Sequence, residues 1–109
     1  MTNNLDTFFG AMSDPTRRAV IERLVTGPAA VSELHAPHDI ALPTFMRHLK
    51  VLENSGFIRS EKKGRVRTVH IEAWPLVDAE DWLQRQRRLW EGRHNRLGAL
   101  AEALEGDGK

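Results

Sequence analysis

Arg47 and Lys50 lie three residues apart, with Thr44 and His48 at helical spacing beside them, and Lys62, Lys63, Arg65 and Arg67 follow after a short interval. Guanidinium and ammonium groups donate to guanine edges or phosphate oxygens, and a hydroxyl or an imidazole can bond either. Charge is distributed to match. Residues 43–67 carry seven Lys/Arg against two Asp/Glu, a net +5, while residues 1–42 and 68–109 each carry a net −2. Such an excess is either a solvated face or the electrostatic footprint of phosphate binding, and its placement on a helix plus a hairpin favours the second.

Particular elements must hold these groups outward. Ile40 to Arg59 reads as a turn, a helix entered through Pro43, a stop at Gly56 and the start of a strand. Leu42, Phe45, Leu49 and Leu52 form its apolar face and leave Thr44, Arg47, His48 and Lys50 on the rest, with His48 facing DNA. A shorter helix, Ser32 to Ala36, precedes it and ends where Pro37 disfavours helical geometry. Ser32 either caps that helix or meets a phosphate. Val31 to Ser55 thus predicts a helix-turn-helix whose second helix enters the major groove. Beyond Gly56, two runs joined at Lys63-Gly64 predict a β-hairpin, with Val69 and Ile71 facing in and His70 out. Its tip carries Lys62, Lys63, Arg65 and Arg67. A charged tip also protects an exposed edge, but its position after a recognition helix favours a wing that contacts DNA.

Leu5, Phe8, Phe9 and Met12 predict an amphipathic first helix. Asp14 is placed to cap a second helix that has Pro15 at its first position and Val20, Ile21, Leu24 and Val25 as its buried stripe. Arg17, Arg18 and Arg23 read as surface charge paired with Glu22, with a phosphate contact by Arg17 or Arg18 as the alternative. From Leu76 to about Leu104 a long helix repeats Leu76, Leu83, Trp90, Leu97 and Leu104 every seven residues. About 28 residues rising ~1.5 Å each give a rod of roughly 42 Å, longer than so small a domain covers with its own surface. The excess predicts a homodimer whose interface takes Phe8, Phe9, Leu76, Trp82, Leu83, Leu89, Trp90 and Leu97, large apolar groups that are costly to leave wet. A two-fold dimer implies an inverted-repeat operator with half-sites about 10 base pairs apart or somewhat more.

Other functions are disfavoured by what the chain carries. At 109 residues it reads as one domain over 1–109, thin for enclosing a substrate. The helix-turn-helix occupies about 31–55, the wing about 57–71 and the dimerisation helix about 76–104. There is no cysteine, no export signal and no apolar run near the roughly 20 residues of a membrane span, so the expected location is cytoplasmic. His35 and His38 are separated by Pro37, and no convergent set of three or four ligands is evident, so no metal or other cofactor is expected. The serines lie in no nucleophile motif and no glycine-rich phosphate loop is present, which argues against an enzyme. Two other readings remain: a winged-helix dimer docking an acidic protein partner, and a metal-responsive repressor.

Asp14-Pro15-Thr16-Arg17-Arg18, Val31-Ser32-Glu33-Leu34, Leu42 to Glu53 and Gly56-Phe57-Ile58 together resemble the ArsR-type (ArsR/SmtB) family of bacterial winged-helix regulators over roughly residues 5 to 100. The resemblance implies a mainly α (α+β) winged helix-turn-helix of about five helices with one two-stranded hairpin wing. It implies a dimeric regulator, usually a repressor released by an inducer, and it maps the recognition positions onto Thr44, Met46, Arg47, His48 and Lys50. The cysteine pair of metal-sensing members is absent around Leu34 to Ala36, and the histidine-carboxylate set of the last helix is not reproduced, so the chain resembles a metal-free branch. Ala41 and Met46 stand where better-known members have serines, so their base preference does not transfer.

Overall fold

The computed structural model describes residues 4–107, without the side chains of residues 94, 95, 97 and 105–107. Its elements run α1 (Asn4–Met12), α2 (Pro15–Val25), β1 (Ala29–Ala30), α3 (Val31–His35), α4 (Leu42–Asn54), β2 (Ile58–Lys63), β3 (Val66–Ile71) and α5 (Trp74–Asp107). Two compact units divide after Asp78.

In the first unit each element contributes to one core. Asp14 caps α2, its carboxylate accepting the Arg17 backbone N–H at 3.0 Å, with Pro15 in the first turn. The helix then presents Val20, Ile21 and Leu24 inward. Val25, expected in that stripe, is exposed, since it lies one residue before the Thr26 C-cap, where the helix ends. From α4, Phe45, Leu49 and Leu52 are buried against Leu34, Phe57, Ile58 and Val69. Leu42 is exposed instead of joining them, because it opens the helix a full turn ahead of the first buried position. Burial of side chains of this size contributes about 1.5–3 kcal/mol each.

α4 ends in a Schellman arrangement: the Phe57 N–H donates to Leu52 O at 3.0 Å and the Gly56 N–H to Glu53 O at 3.1 Å. Gly56 sits at φ 79° with the Trp74 indole packed where a side chain would be. Glycine is therefore required twice over at this position.

The wing is larger than the two-stranded hairpin expected. Three antiparallel strands lie in the order β1-β3-β2, with Ala29 opposite Val69 and Ala30 opposite Thr68. After the Gly27-Pro28 break the chain passes alongside β3 and is captured there, yet two alanines show no alternation from which a strand could be read. The hairpin turn is also displaced by one residue. Lys63 pairs with Val66, so Gly64 and Arg65 form the loop, and Gly64 at φ 61° takes the first loop position, which favours glycine in a two-residue hairpin.

α3 begins at Val31 after Ala30, with no side-chain cap, so Ser32 lies within the helix and is not its cap. In the second unit, α5 continues through Gly92 and Gly98, and Leu83, Leu89, Trp90, Leu100 and Leu104 are exposed along it.

Candidate nucleic-acid interface

The amphipathic spacing of α4 leaves Thr44, Met46, Arg47 and Lys50 exposed while the opposite face enters the core. Met46, Lys50 and Arg67 share the rim of a cleft of about 240 Å³ between α4 and the sheet, floored by Leu49, Ile58 and Val69. The helix and the wing are thereby parts of one surface. A second depression, of about 190 Å³, is lined by Ser32, Arg65, Val66 and Arg67. Ser32 is thus gathered with two wing arginines, and Arg67 borders both hollows.

Pairing separates the cations into two groups. Arg59 is neutralised by Glu61 and by Glu72, the latter at 2.8 Å, and Lys50 has a loose contact with Glu53 at 4.0 Å. Among the described residues no salt bridge reaches Arg47, Lys62, Lys63, Arg65 or Arg67. Lys62 stands directly across the ladder from Arg67, an arrangement of like charges that costs stability when nothing negative lies between. Arg67 instead donates to Ser60 Oγ at 3.0 Å, a positioning contact that sequence spacing does not reveal.

His48 is placed differently from its neighbours. Its side chain is only 20% exposed, and its Nδ1 lies 3.1 Å from Arg17 Nη1 and 3.6 Å from Asp14 Oδ2. One face of the imidazole is therefore tied to α2, and only Nε2 is left for a ligand. Arg17 also donates through Nε to Ala11 O at 2.7 Å and through Nη2 to Gly10 O at 3.2 Å, and Arg18 donates to Met12 O at 2.7 Å. Both arginines close the carboxyl end of α1, and among the described residues neither forms the ion pair with Glu22 considered from the sequence. Burial pushes the Asp14 carboxyl up. The Arg17 backbone N–H, the charges of His48 and Arg17 and the Thr16 N–H outweigh that and hold it below its ordinary 3.8. The 31-residue separation of Arg17 and His48 left no local signal for this contact.

His35 and His38 are both spent on Phe45, with ring centroids at 5.1 and 5.6 Å, and His35 Nε2 donates to Ile40 O at 2.7 Å. Among the described residues no three His, Asp or Glu side chains converge as metal ligands. His70 is partly buried on β3 with Glu61 at 3.9 Å, less open than a solvent-facing strand position.

The residues expected at a dimer interface fall into two sets. Phe8 and Leu76 lie against the chain's own core, Phe8 with its ring 5.3 Å from that of Phe57, so their apolar area is largely used within the chain. Phe9, Leu83, Leu89 and Trp90 are exposed and Trp82 is partly so. The Leu97 side chain lies outside the described residues.

Comparison with known proteins agrees with this geometry. Residues 12–61 match the helix-turn-helix domain family. The HTH-type transcriptional regulator Rv2034 of Mycobacterium tuberculosis is 36% identical over 72 residues, spanning 66% of this chain and 67% of that one. The transcriptional repressor SdpR of Bacillus subtilis is 27% identical over 79 residues, 72% of this chain and 88% of its own. The crystal structure of the ArsR family transcriptional regulator RHA00566 superimposes with a TM-score of 0.79 at 55% identity, covering 82% of this chain and 98% of that one. With the winged-helix architecture and two such relatives in agreement, the chain belongs to the ArsR family of DNA-binding transcriptional regulators.

Proposed function

We propose that the protein is a homodimeric repressor that reads an inverted-repeat operator, with α4 in the major groove and the wing along the backbone. The observation that carries this reading is the set of five cations, Arg47, Lys62, Lys63, Arg65 and Arg67, which meet no carboxylate among the described residues. Phosphates supply the missing charge, and their neutralisation releases counterions. Thr44, Met46, Arg47, His48 and Lys50 contact base edges or nearby phosphates, Lys62, Lys63 and Arg65 contact the backbone, and Ser32 and Arg67 meet a phosphate between helix and wing. The protein works by binding and not by catalysis, on DNA in the cytoplasm. No helix among the described residues is long and apolar enough to cross a membrane.

Dimerisation rests on the exposed Leu83, Leu89 and Trp90 of α5, and the exposed Phe9 of α1 is counted in the same reading. Repression is the reading favoured by the likeness to SdpR. A gel shift on the DNA upstream of the protein's own gene, with Arg47→Ala as control, tests the function. A retarded band that weakens steeply with salt and fades in the variant is expected, and no band at moderate salt overturns the reading.

A further inference from the structure

The contact between Arg17 and His48 has a chemical consequence for what α4 can recognise. A guanidinium has N–H donors and no acceptor. With Arg17 Nη1 at 3.1 Å, a hydrogen bond forms only if His48 Nδ1 offers a lone pair. A proton on Nδ1 would set N–H against N–H. The competing partner, Asp14 Oδ2, is 3.6 Å from Nδ1 and already accepts the Arg17 backbone N–H at 3.0 Å. Nor is the guanidinium free to turn away, because Nε and Nη2 are held by Ala11 O and Gly10 O at the end of α1. The ring proton is therefore left on Nε2. Among the described residues Nε2 has no hydrogen-bond partner, and no buried side-chain nitrogen or oxygen lacks one, so this N–H reaches solvent, one turn along α4 from the exposed Thr44.

We propose that Arg17 is a positioning residue that fixes His48 as the Nε2–H tautomer and so makes it a hydrogen-bond donor to DNA. Its target is a purine N7 acceptor, and never the amino groups of adenine or cytosine that a bare Nε2 would favour. This deepens the reading of α4 as the groove-reading helix and rests on it. A phosphate oxygen has the same acceptor chemistry, and the experiment separates the two.

The first arm needs no DNA. Long-range nitrogen–proton correlation NMR on the nitrogen-15-labelled protein at mildly alkaline pH distinguishes a protonated ring nitrogen from a bare one. Wild type and Asp14→Asn are expected to show Nε2 protonated and Nδ1 bare, and Arg17→Met to show a mixture. A wild-type ring protonated on Nδ1 overturns the assignment, and this holds even if Arg17→Met does not fold. The second arm uses the duplex protected in a footprint upstream of the protein's own gene. Replacing single purines by their 7-deaza analogues should weaken wild-type binding by about fivefold to tenfold at one position per half-site and leave His48→Phe indifferent there. If the penalty that depends on His48 follows methylphosphonate substitution instead, base reading by His48 is overturned in favour of a phosphate contact. If wild type protects no DNA, the function proposed above falls together with the DNA role of His48, while the NMR arm still decides the tautomer.

Discussion

The Trp74 indole fills the space beside Gly56 that any other residue would need for its Cβ. This one contact joins the end of α4 to the start of α5. Gly56→Ala adds a clash with an aromatic ring to the strain of a left-handed backbone, and the two together should cost about 3 kcal/mol. Urea unfolding followed by circular dichroism would show it as a lower midpoint at unchanged slope. Trp74→Ala in the same chain should recover the steric part and leave the conformational part.

Asp14→Ala should destabilise the fold by about 1 kcal/mol at neutral pH, the usual worth of an N-cap. Because the folded-state carboxyl is held below 3.8, its contribution is fully present above that value and disappears as the pH falls through the lowered one. The stability gap between wild type and variant should therefore narrow as the pH falls below about 4. A gap that widens as the pH falls below about 4 would show that the carboxylate is not the favoured form in the folded chain.

Arg47→Ala and Lys63→Ala should weaken DNA binding in different ways. Loss of a base-contacting Arg47 costs about 1–3 kcal/mol and relaxes preference at one position per half-site. Loss of Lys63 lowers affinity uniformly across sequences and reduces the slope of log affinity against log salt by about 1 for each site. Fluorescence anisotropy titrations on operator and scrambled duplexes at several salt concentrations would separate the two.

Leu89→Glu combined with Trp90→Glu places charge on two exposed apolar positions of α5. Light scattering should return the monomer mass at concentrations where wild type gives the dimer, and operator affinity should fall while the circular dichroism spectrum keeps its helical form. An unchanged mass would remove α5 from the interface.

The charge block at residues 43–67, the apolar spacing of α4 and the Asp14-Pro15 cap are local signals, and the structure follows them closely. The helical spacing and the cap depend on residues within a turn or two of one another, and the charge block on one continuous stretch of chain. Helical period, proline geometry and a single sign of charge act over such distances, which is why the order of helices and the outward basic face could be read from the amino acids. Misreadings fell where an element ends or a distant segment intervenes. Leu42 and Val25 satisfied the period but lay at helix termini beyond the reach of the core, and the turn moved one residue, to Gly64-Arg65, because strand register chose it.

The remainder needed tertiary structure. Ala29 and Ala30 become a strand only because β3 passes beside them. Phe8 and Leu76 are apolar at helical spacing whether they face a partner or their own core, and only packing assigns them to the core. Arg67 joins Lys50 on one side and Ser32 on the other through folding alone. His48 carries the same imidazole in any helix, but Arg17, 31 residues away, decides which of its nitrogens holds the proton. The sequence by itself determined that a basic helix and hairpin would face outward. Only the tertiary structure decided how each of those groups is held, because hydrogen bonds between segments far apart in the chain depend on where the packed core brings them.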